Sequence, residues 1–117
     1  LKHGRGTLAL ANGDLYEGSF VKNQRHGFGE HTSSDGQTYK GNFKNGQRHG
    51  FGLSTFKNGS IYEGQFANNK PQGEGKLSFE GGAIYKGLFK DGKMEGSGVC
   101  EIQGEEISCA DFLKRDF

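Results

Sequence analysis

Tyr39-Lys-Gly-Asn-Phe-Lys-Asn-Gly-Gln-Arg-His-Gly-Phe-Gly52 is the stretch that decides the fold. Its tyrosine recurs at a fixed interval: Tyr16, Tyr39, Tyr62 and Tyr85 are each 23 residues apart. A glycine follows two residues after each tyrosine (Gly18, Gly41, Gly64, Gly87) and a phenylalanine four after (Phe20, Phe43, Phe66, Phe89). A G-x-G pair comes next, at Gly27/Gly29, Gly50/Gly52, Gly73/Gly75 and Gly96/Gly98, with Gly4/Gly6 one period earlier. A further column is Gly13, Gly36, Gly59 and Gly82. With Gly46 and Gly92 these positions hold 20 of the chain's 22 glycines. Disordered low-complexity sequence keeps no such register, whereas a repeat architecture requires one.

The register accounts for a composition that is otherwise odd. Only 31% of the 117 residues are hydrophobic, yet ten are phenylalanine and one is proline. Collagen is excluded because it needs a three-residue glycine period with abundant proline. No run approaches 18 apolar residues, and no signal peptide is visible, so a cytoplasmic location is expected. Two cysteines are too few for a disulfide framework. The net charge of +1 gives no pull toward nucleic acid.

The motif Y-x-G-x-[FW]-x-x-G-x-x-x-G-x-G resembles the MORN repeat (membrane occupation and recognition nexus), and residues 39–52 are a near-complete copy. The copies from Tyr16 and Tyr62 carry Asn23 and Asn69 in place of the middle glycine, and the copy from Tyr85 has Glu95 where the others have His or Gln. The resemblance covers roughly residues 3–104. It implies an all-β fold, an elongated single-layer antiparallel sheet of stacked 23-residue hairpins. It also implies a scaffold or tether rather than an enzyme, in cytoskeletal or membrane-associated settings, or beside a catalytic domain of a longer chain. The expected organisation is a partial repeat over 1–15, four repeats over 16–38, 39–61, 62–84 and 85–107, and a capping strand or short helix over 108–117.

The residues support the same architecture without the family. Residues 38–43 alternate and hold β-formers, so they read as a strand. A polar loop over 44–49 and a second strand over 50–56 follow. Asn12-Gly13, Asp35-Gly36, Asn58-Gly59 and Gly81-Gly82 read as type I′ turns. Ten strands about 4.8 Å apart give a ribbon roughly 48 Å long. One face carries Tyr39, Gly41, Phe43, Gly52 and Ser54, and the other Lys40, Asn42, Phe51 and Leu53. On the first face a glycine lets a ring lie on the neighbouring backbone. Each buried ring contributes roughly 1.5–3 kcal/mol, which outweighs the ~0.5–1 kcal/mol lost at a strand glycine. At the C-terminal end, Ile107, Ser108, Ala110 and Phe112 fit the columns of Ile84, Tyr85, Gly87 and Phe89 as a degenerate strand. The alternative is an amphipathic helix over 110–117 that packs Phe112, Leu113 and Phe117 on the sheet end.

Three candidate surfaces emerge. The segments 21–26, 44–49, 67–72 and 90–95 hold Lys22, Arg25, Lys44, Arg48, Lys70, Lys90 and Lys93 against only Asp91 and Glu95. The opposite turns are acidic, so the near-zero net charge conceals a dipolar ribbon. A basic edge of this kind suits an anionic surface such as lipid headgroups, and equally suits loops that keep a sheet soluble. The rings of Tyr16, Tyr39, Tyr62, Tyr85, Phe20, Phe43, Phe66 and Phe89 are candidates for a groove that takes a partner peptide or helix, or are the core itself. Phe28 and Phe51 lie on the more polar face, where an exposed aromatic marks a protein contact. Exposed end strands favour self-association into a homo-oligomer.

No catalytic set, cofactor or metal site stands out. His3, His26 and His49 share a column, but successive hairpins place them roughly 10 Å apart, too far for one ion. By alternation Cys100 and Cys109 fall on opposite faces, which argues against a disulfide and leaves zinc shared across a dimer as their one metal role. Residues 87–94 mimic a phosphate-binding loop, but Met94 stands where the hydroxyl would be. Asn58-Gly-Ser60 fits a glycosylation sequon at a hairpin turn.

Overall fold

The computed structural model describes residues 4–114. These form one ten-stranded antiparallel sheet: β1 Gly4–Ala9, β2 Leu15–Val21, β3 Gln24–Thr32, β4 Thr38–Lys44, β5 Gln47–Thr55, β6 Ile61–Ala67, β7 Lys70–Ser78, β8 Ala83–Lys90, β9 Lys93–Ile102 and β10 Glu105–Ile107. A short helix, α1 Cys109–Leu113, follows. The strands lie side by side in chain order, so every connection is local. The molecule measures 50 × 24 × 19 Å, close to the length that ten strand spacings require. No described helix is long and apolar enough to cross a membrane.

The strand registers align the repeat columns into rows across the ribbon. Gly6, Gly18, Gly29, Gly41, Gly52, Gly64, Gly75, Gly87 and Gly98 oppose one another in a single row of the inner face. The adjoining row runs Leu8, Tyr16, His31, Tyr39, Ser54, Tyr62, Leu77, Tyr85 and Cys100. Each tyrosine ring lies over the glycine row. A Cβ added at Gly29, Gly52 or Gly75 would fall within the ring of Tyr16, Tyr39 or Tyr62. The rings then interlock edge to face in one ladder, Phe20–Tyr16–Phe43–Tyr39–Phe66–Tyr62–Phe89–Tyr85, with centroids 4.9–5.3 Å apart. Each such pair contributes about 0.5–1.5 kcal/mol beyond burial. The ladder is the core, and all eight rings are at most 3% exposed.

Why tyrosine rather than phenylalanine begins each repeat follows from a β-bulge. Between the Gly18–Gly29 and Phe20–Arg25 pairs, Ser19 alone stands opposite residues 26–28, and the same shift recurs at Gly41/Phe43, Gly64/Phe66 and Gly87/Phe89. The carbonyl of that single residue accepts from the tyrosine hydroxyl three residues earlier. Tyr16 donates to Ser19 (2.8 Å), Tyr39 to Asn42 (2.7 Å), Tyr62 to Gln65 (2.7 Å) and Tyr85 to Leu88 (2.8 Å). Burial pushes the phenols of Tyr39 and Tyr62 up to about 12.

The two kinds of connection are the reverse of the expectation. The segments expected to be loops are strands joined by two-residue turns: Lys22-Asn23, Asn45-Gly46, Asn68-Asn69 and Asp91-Gly92 have both residues at positive φ, as does Gln103-Gly104 at the opposite edge. This is the type I′ geometry, whose twist matches that of the flanking strands. At Asn12-Gly13, Asp35-Gly36 and Asn58-Gly59 only the glycine has positive φ. Each closes a longer loop in which, for example, Leu10 N–H donates to Asp14 O (2.8 Å) and Gly13 N–H to Leu10 O (3.0 Å). Lysine and asparagine serve at the I′ turns because a left-handed residue need not be glycine when it is polar and exposed.

The C-terminal end corrects two further expectations. The Gln103-Gly104 turn is two residues long, so Ile107, not Ser108, opposes Cys100. A one-residue shift of register turns side chains to the other face. Cys109, two residues beyond Ile107, therefore lies on the side of Cys100 and forms a disulfide with it, at a Cα–Cα distance of 5.3 Å. The pairing also takes up both thiols expected to be free for a shared zinc. The degenerate strand is limited to Glu105–Ile107. Ser108 then caps α1, its hydroxyl accepting from Asp111 N–H (3.1 Å). Phe112 is fully buried against the end of the core and Leu113 is 43% exposed, while Phe117 lies outside the described residues.

Candidate functional site

One residue in each repeat, two positions before the first glycine of the G-x-G pair, lies beyond the ring ladder on the inner face. These residues are Arg25, Arg48, Pro71 and Met94, which oppose Phe20, Phe43, Phe66 and Phe89. Arg25 stacks over Tyr16 and Phe43 with its guanidinium carbon 5.8 and 5.2 Å from the ring centroids. Arg48 stacks over Tyr39 and Phe66 at 5.7 and 5.6 Å. Their backbones also join repeats. Gly46 N–H donates to Arg25 O (2.9 Å), Asn69 N–H to Arg48 O (3.2 Å) and Gly92 N–H to Pro71 O (3.0 Å). The sequence placed Arg25 and Arg48 on the basic edge, but both cations turn inward.

Arg25 ends a hydrogen-bonded chain that sequence reasoning missed. Its Nη1 lies 3.0 Å from His31 Nδ1, and its Nη2 donates to Gly46 O (2.6 Å). A guanidinium can only donate, so His31 Nδ1 accepts and Nε2 carries the proton toward Asp14 Oδ2 at 3.0 Å. The other Asp14 oxygen accepts from Ser34 N–H at 3.0 Å. That backbone bond, with the His31 contact second, holds the Asp14 carboxyl below its ordinary range. With Nδ1 accepting, the His31 ring is neutral, so its contact with Asp14 is a hydrogen bond between a carboxylate and an imidazole N–H. Comparing column 8, 31, 54, 77, 100 residue by residue would have singled out His31 among Leu, Ser, Leu and Cys.

Arg48 stands one repeat further along with no such chain. Burial lowers its pKa from the ordinary value, and no carboxylate pairs with it among the described residues. Ser54, its counterpart of His31, is 2% exposed, and its hydroxyl meets no hydrogen-bond partner. Arg48, Ser54, Tyr39, Phe56 and Asn69 line a concavity of about 430 Å³ that extends to Arg25, His31 and Asp14.

The opposite face is open. Phe28 is 57% and Phe51 52% exposed, at equivalent positions of successive repeats, with Leu88 41% exposed further along. Phe51, Gln65, Glu74 and Leu88 border a shallow depression of about 700 Å³. The eight ladder rings, by contrast, are at most 3% exposed and form the core; of them, Tyr39 and Phe43 also border the concavity beside Arg48. At the edge, Lys22, Lys44, Lys70, Lys90 and Lys93 remain exposed near the I′ turns. His26 and His49 occupy equivalent strand positions, and His3 lies outside the described residues. No group of three potential metal ligands occurs among the described residues.

A ribbon of in-register hairpins sharing one aromatic ladder defines a solenoid-like β-repeat protein. The MORN repeat model matches residues 1–15, 16–38, 39–61, 62–84 and 85–102. The chain belongs to the MORN repeat family. No curated protein matches it.

Proposed function

We propose that this chain is a non-enzymatic scaffold that binds a protein partner along the ribbon, in cytoskeletal or membrane-proximal tethering. The observation that carries the reading is the pair Phe28 and Phe51, both more than half exposed. They stand two strands, roughly 10 Å, apart, on a face where neither contributes to the core. Large rings held in water at a repeat spacing suit a partner that contacts successive repeats.

Affinity capture tests this. The wild-type chain is compared with Phe28→Ser/Phe51→Ser and with Lys22→Glu/Lys44→Glu, each checked for native circular dichroism. Capture of a partner that the phenylalanine variant loses and the charge variant keeps supports the reading. Capture indifferent to the phenylalanines overturns it.

The five exposed lysines along one edge favour a second reading, binding to anionic phospholipid. It requires co-sedimentation with phosphatidylserine vesicles that disappears in high salt and in the Lys22→Glu/Lys44→Glu variant.

A further inference from the structure

We propose that the inner groove over β5 is a binding site for a single carboxylate, the aspartate or glutamate side chain of an acidic peptide segment, held by the Arg48 guanidinium and the Ser54 hydroxyl. The site lies on the face opposite Phe28 and Phe51, so it does not rest on their role.

The preceding repeat supplies the template. There Arg25 is satisfied by His31 and by Gly46 O, and Asp14 stands behind His31. Moving each residue forward by 23 gives Arg48, Ser54, Asn69 and Gln37. Arg48 keeps the pose of Arg25, since its guanidinium lies over the corresponding two rings at nearly the same distances. Its imidazole acceptor is gone, and its guanidinium donates to no acceptor among the described residues. Serine ends well short of where the imidazole of histidine reaches, and the Gln37 amide is committed to Asp35 Oδ2 at 3.0 Å. A half-buried cation and a buried hydroxyl thus face one concavity, each without the partner that its counterpart has. A buried polar group left unpaired is costly, and an incoming acceptor of opposite charge relieves both.

The chemistry of the lining selects the occupant. The planar guanidinium fork matches a carboxylate. Ser54 offers an O–H donor, and Asn69 accepts from Arg48 N–H through Oδ1 (2.9 Å), which leaves its amide N–H groups for a ligand. Asp14 borders the same concavity, so a doubly charged phosphate meets more repulsion than a carboxylate does. Phe56 and Tyr39 give the stem of an acidic side chain an apolar wall.

The test is an amide and arginine Nε–H NMR titration of the full chain with acetyl-tetraglutamate amide. Acetyl-tetraglutamine amide and inorganic phosphate are the comparators. Saturable shifts at Arg48, Ser54 and Asn69 with the glutamate peptide, absent with the glutamine peptide, are expected. Arg48→Gln should weaken binding more than tenfold. Gln37→Asp/Ser54→His rebuilds the first repeat's internal chain in the second and should abolish the shifts while preserving spectral dispersion. Lys22→Glu/Lys44→Glu should bind as wild type does. Binding that survives Arg48→Gln, shifts centred on Lys22 and Lys44, or phosphate binding as tight as the peptide's would each overturn the assignment.

Discussion

Replacing Tyr39 with phenylalanine removes one oxygen and leaves the ring in place. Its edge-to-face contacts with Phe43 (5.1 Å) and Phe66 (5.0 Å) and its cover over Gly52 are unchanged. What is lost is the donor to Asn42 O at 2.7 Å, the carbonyl of the residue that has no partner in β5 at the bulge. Leaving a part-buried acceptor unpaired costs about 1–2 kcal/mol. With an unfolding entropy of about 2.1 cal/mol/K per residue, each kcal/mol lowers the Tm of a chain this size by about 4 °C, so a drop of roughly 4–8 °C is expected by calorimetry. A second readout separates the hydroxyl from the ring. The Tyr39 phenol, ordinarily at 10.0, stands at about 12 in the fold. A raised folded pKa contributes stability that is complete below the unfolded value and lost as pH rises through the folded one. The wild-type chain therefore loses stability between about pH 10 and pH 12, and Tyr39→Phe makes that loss shallower. A Tm within 1 °C of wild type, with an unaltered alkaline profile, would refute the role given to the hydroxyl.

Gly52→Ala puts a methyl into the Tyr39 ring and should cost about 3 kcal/mol by urea denaturation, more than Tyr39→Phe itself. Reducing the Cys100–Cys109 disulfide opens a loop of nine-residue separation and should cost about 2–3 kcal/mol, with hydrogen exchange rising first in α1 and β10. The Asp14 carboxyl titrates below its ordinary 3.8, so its contribution is present above that pH and is lost as pH falls through the lower folded value. Asp14→Asn should remove this acid-side dependence, read as the pH midpoint of the His31 and Ser34 NMR shifts.

The period alone made the ribbon legible, because 23-residue spacing of Tyr, Gly and Phe fixes which residues can oppose one another. The turns were misassigned for a physical reason. Asn-Gly and Asp-Gly favour positive φ but do not say whether one residue or two adopts it, and a three-residue loop closed by Gly13 shares those letters with a type I′ pair. The disulfide was missed for the same reason. The Gln103-Gly104 turn changes the loop length of the last hairpin, and a parity argument carried through the wrong length inverts its answer. Arg25 and Arg48 show a different limit. Loop charges can be counted in a sequence, but a long side chain can leave the edge and lie over rings of its own and the next repeat.

In a stacked array each unit touches only its neighbours, so positions outside the ladder can vary from repeat to repeat without unseating it. The inner face uses this freedom directionally. At the ladder's flank the residues run Arg25, Arg48, Pro71, Met94, and in the tyrosine row His31, Ser54, Leu77, Cys100. Polar groups thus occupy the first half, and apolar groups, sealed by Phe112 and the disulfide, the second. An apolar filler at 48 and 54 would have served stability as Pro71 and Leu77 do. The Arg48 cation gains from the rings beneath it, but the buried Ser54 hydroxyl carries a desolvation cost that no hydrogen bond offsets. The second repeat thus carries an unpaired buried hydroxyl beside a cation whose counterpart in the first repeat is paired internally, and the proposed carboxylate would be the partner that both lack there.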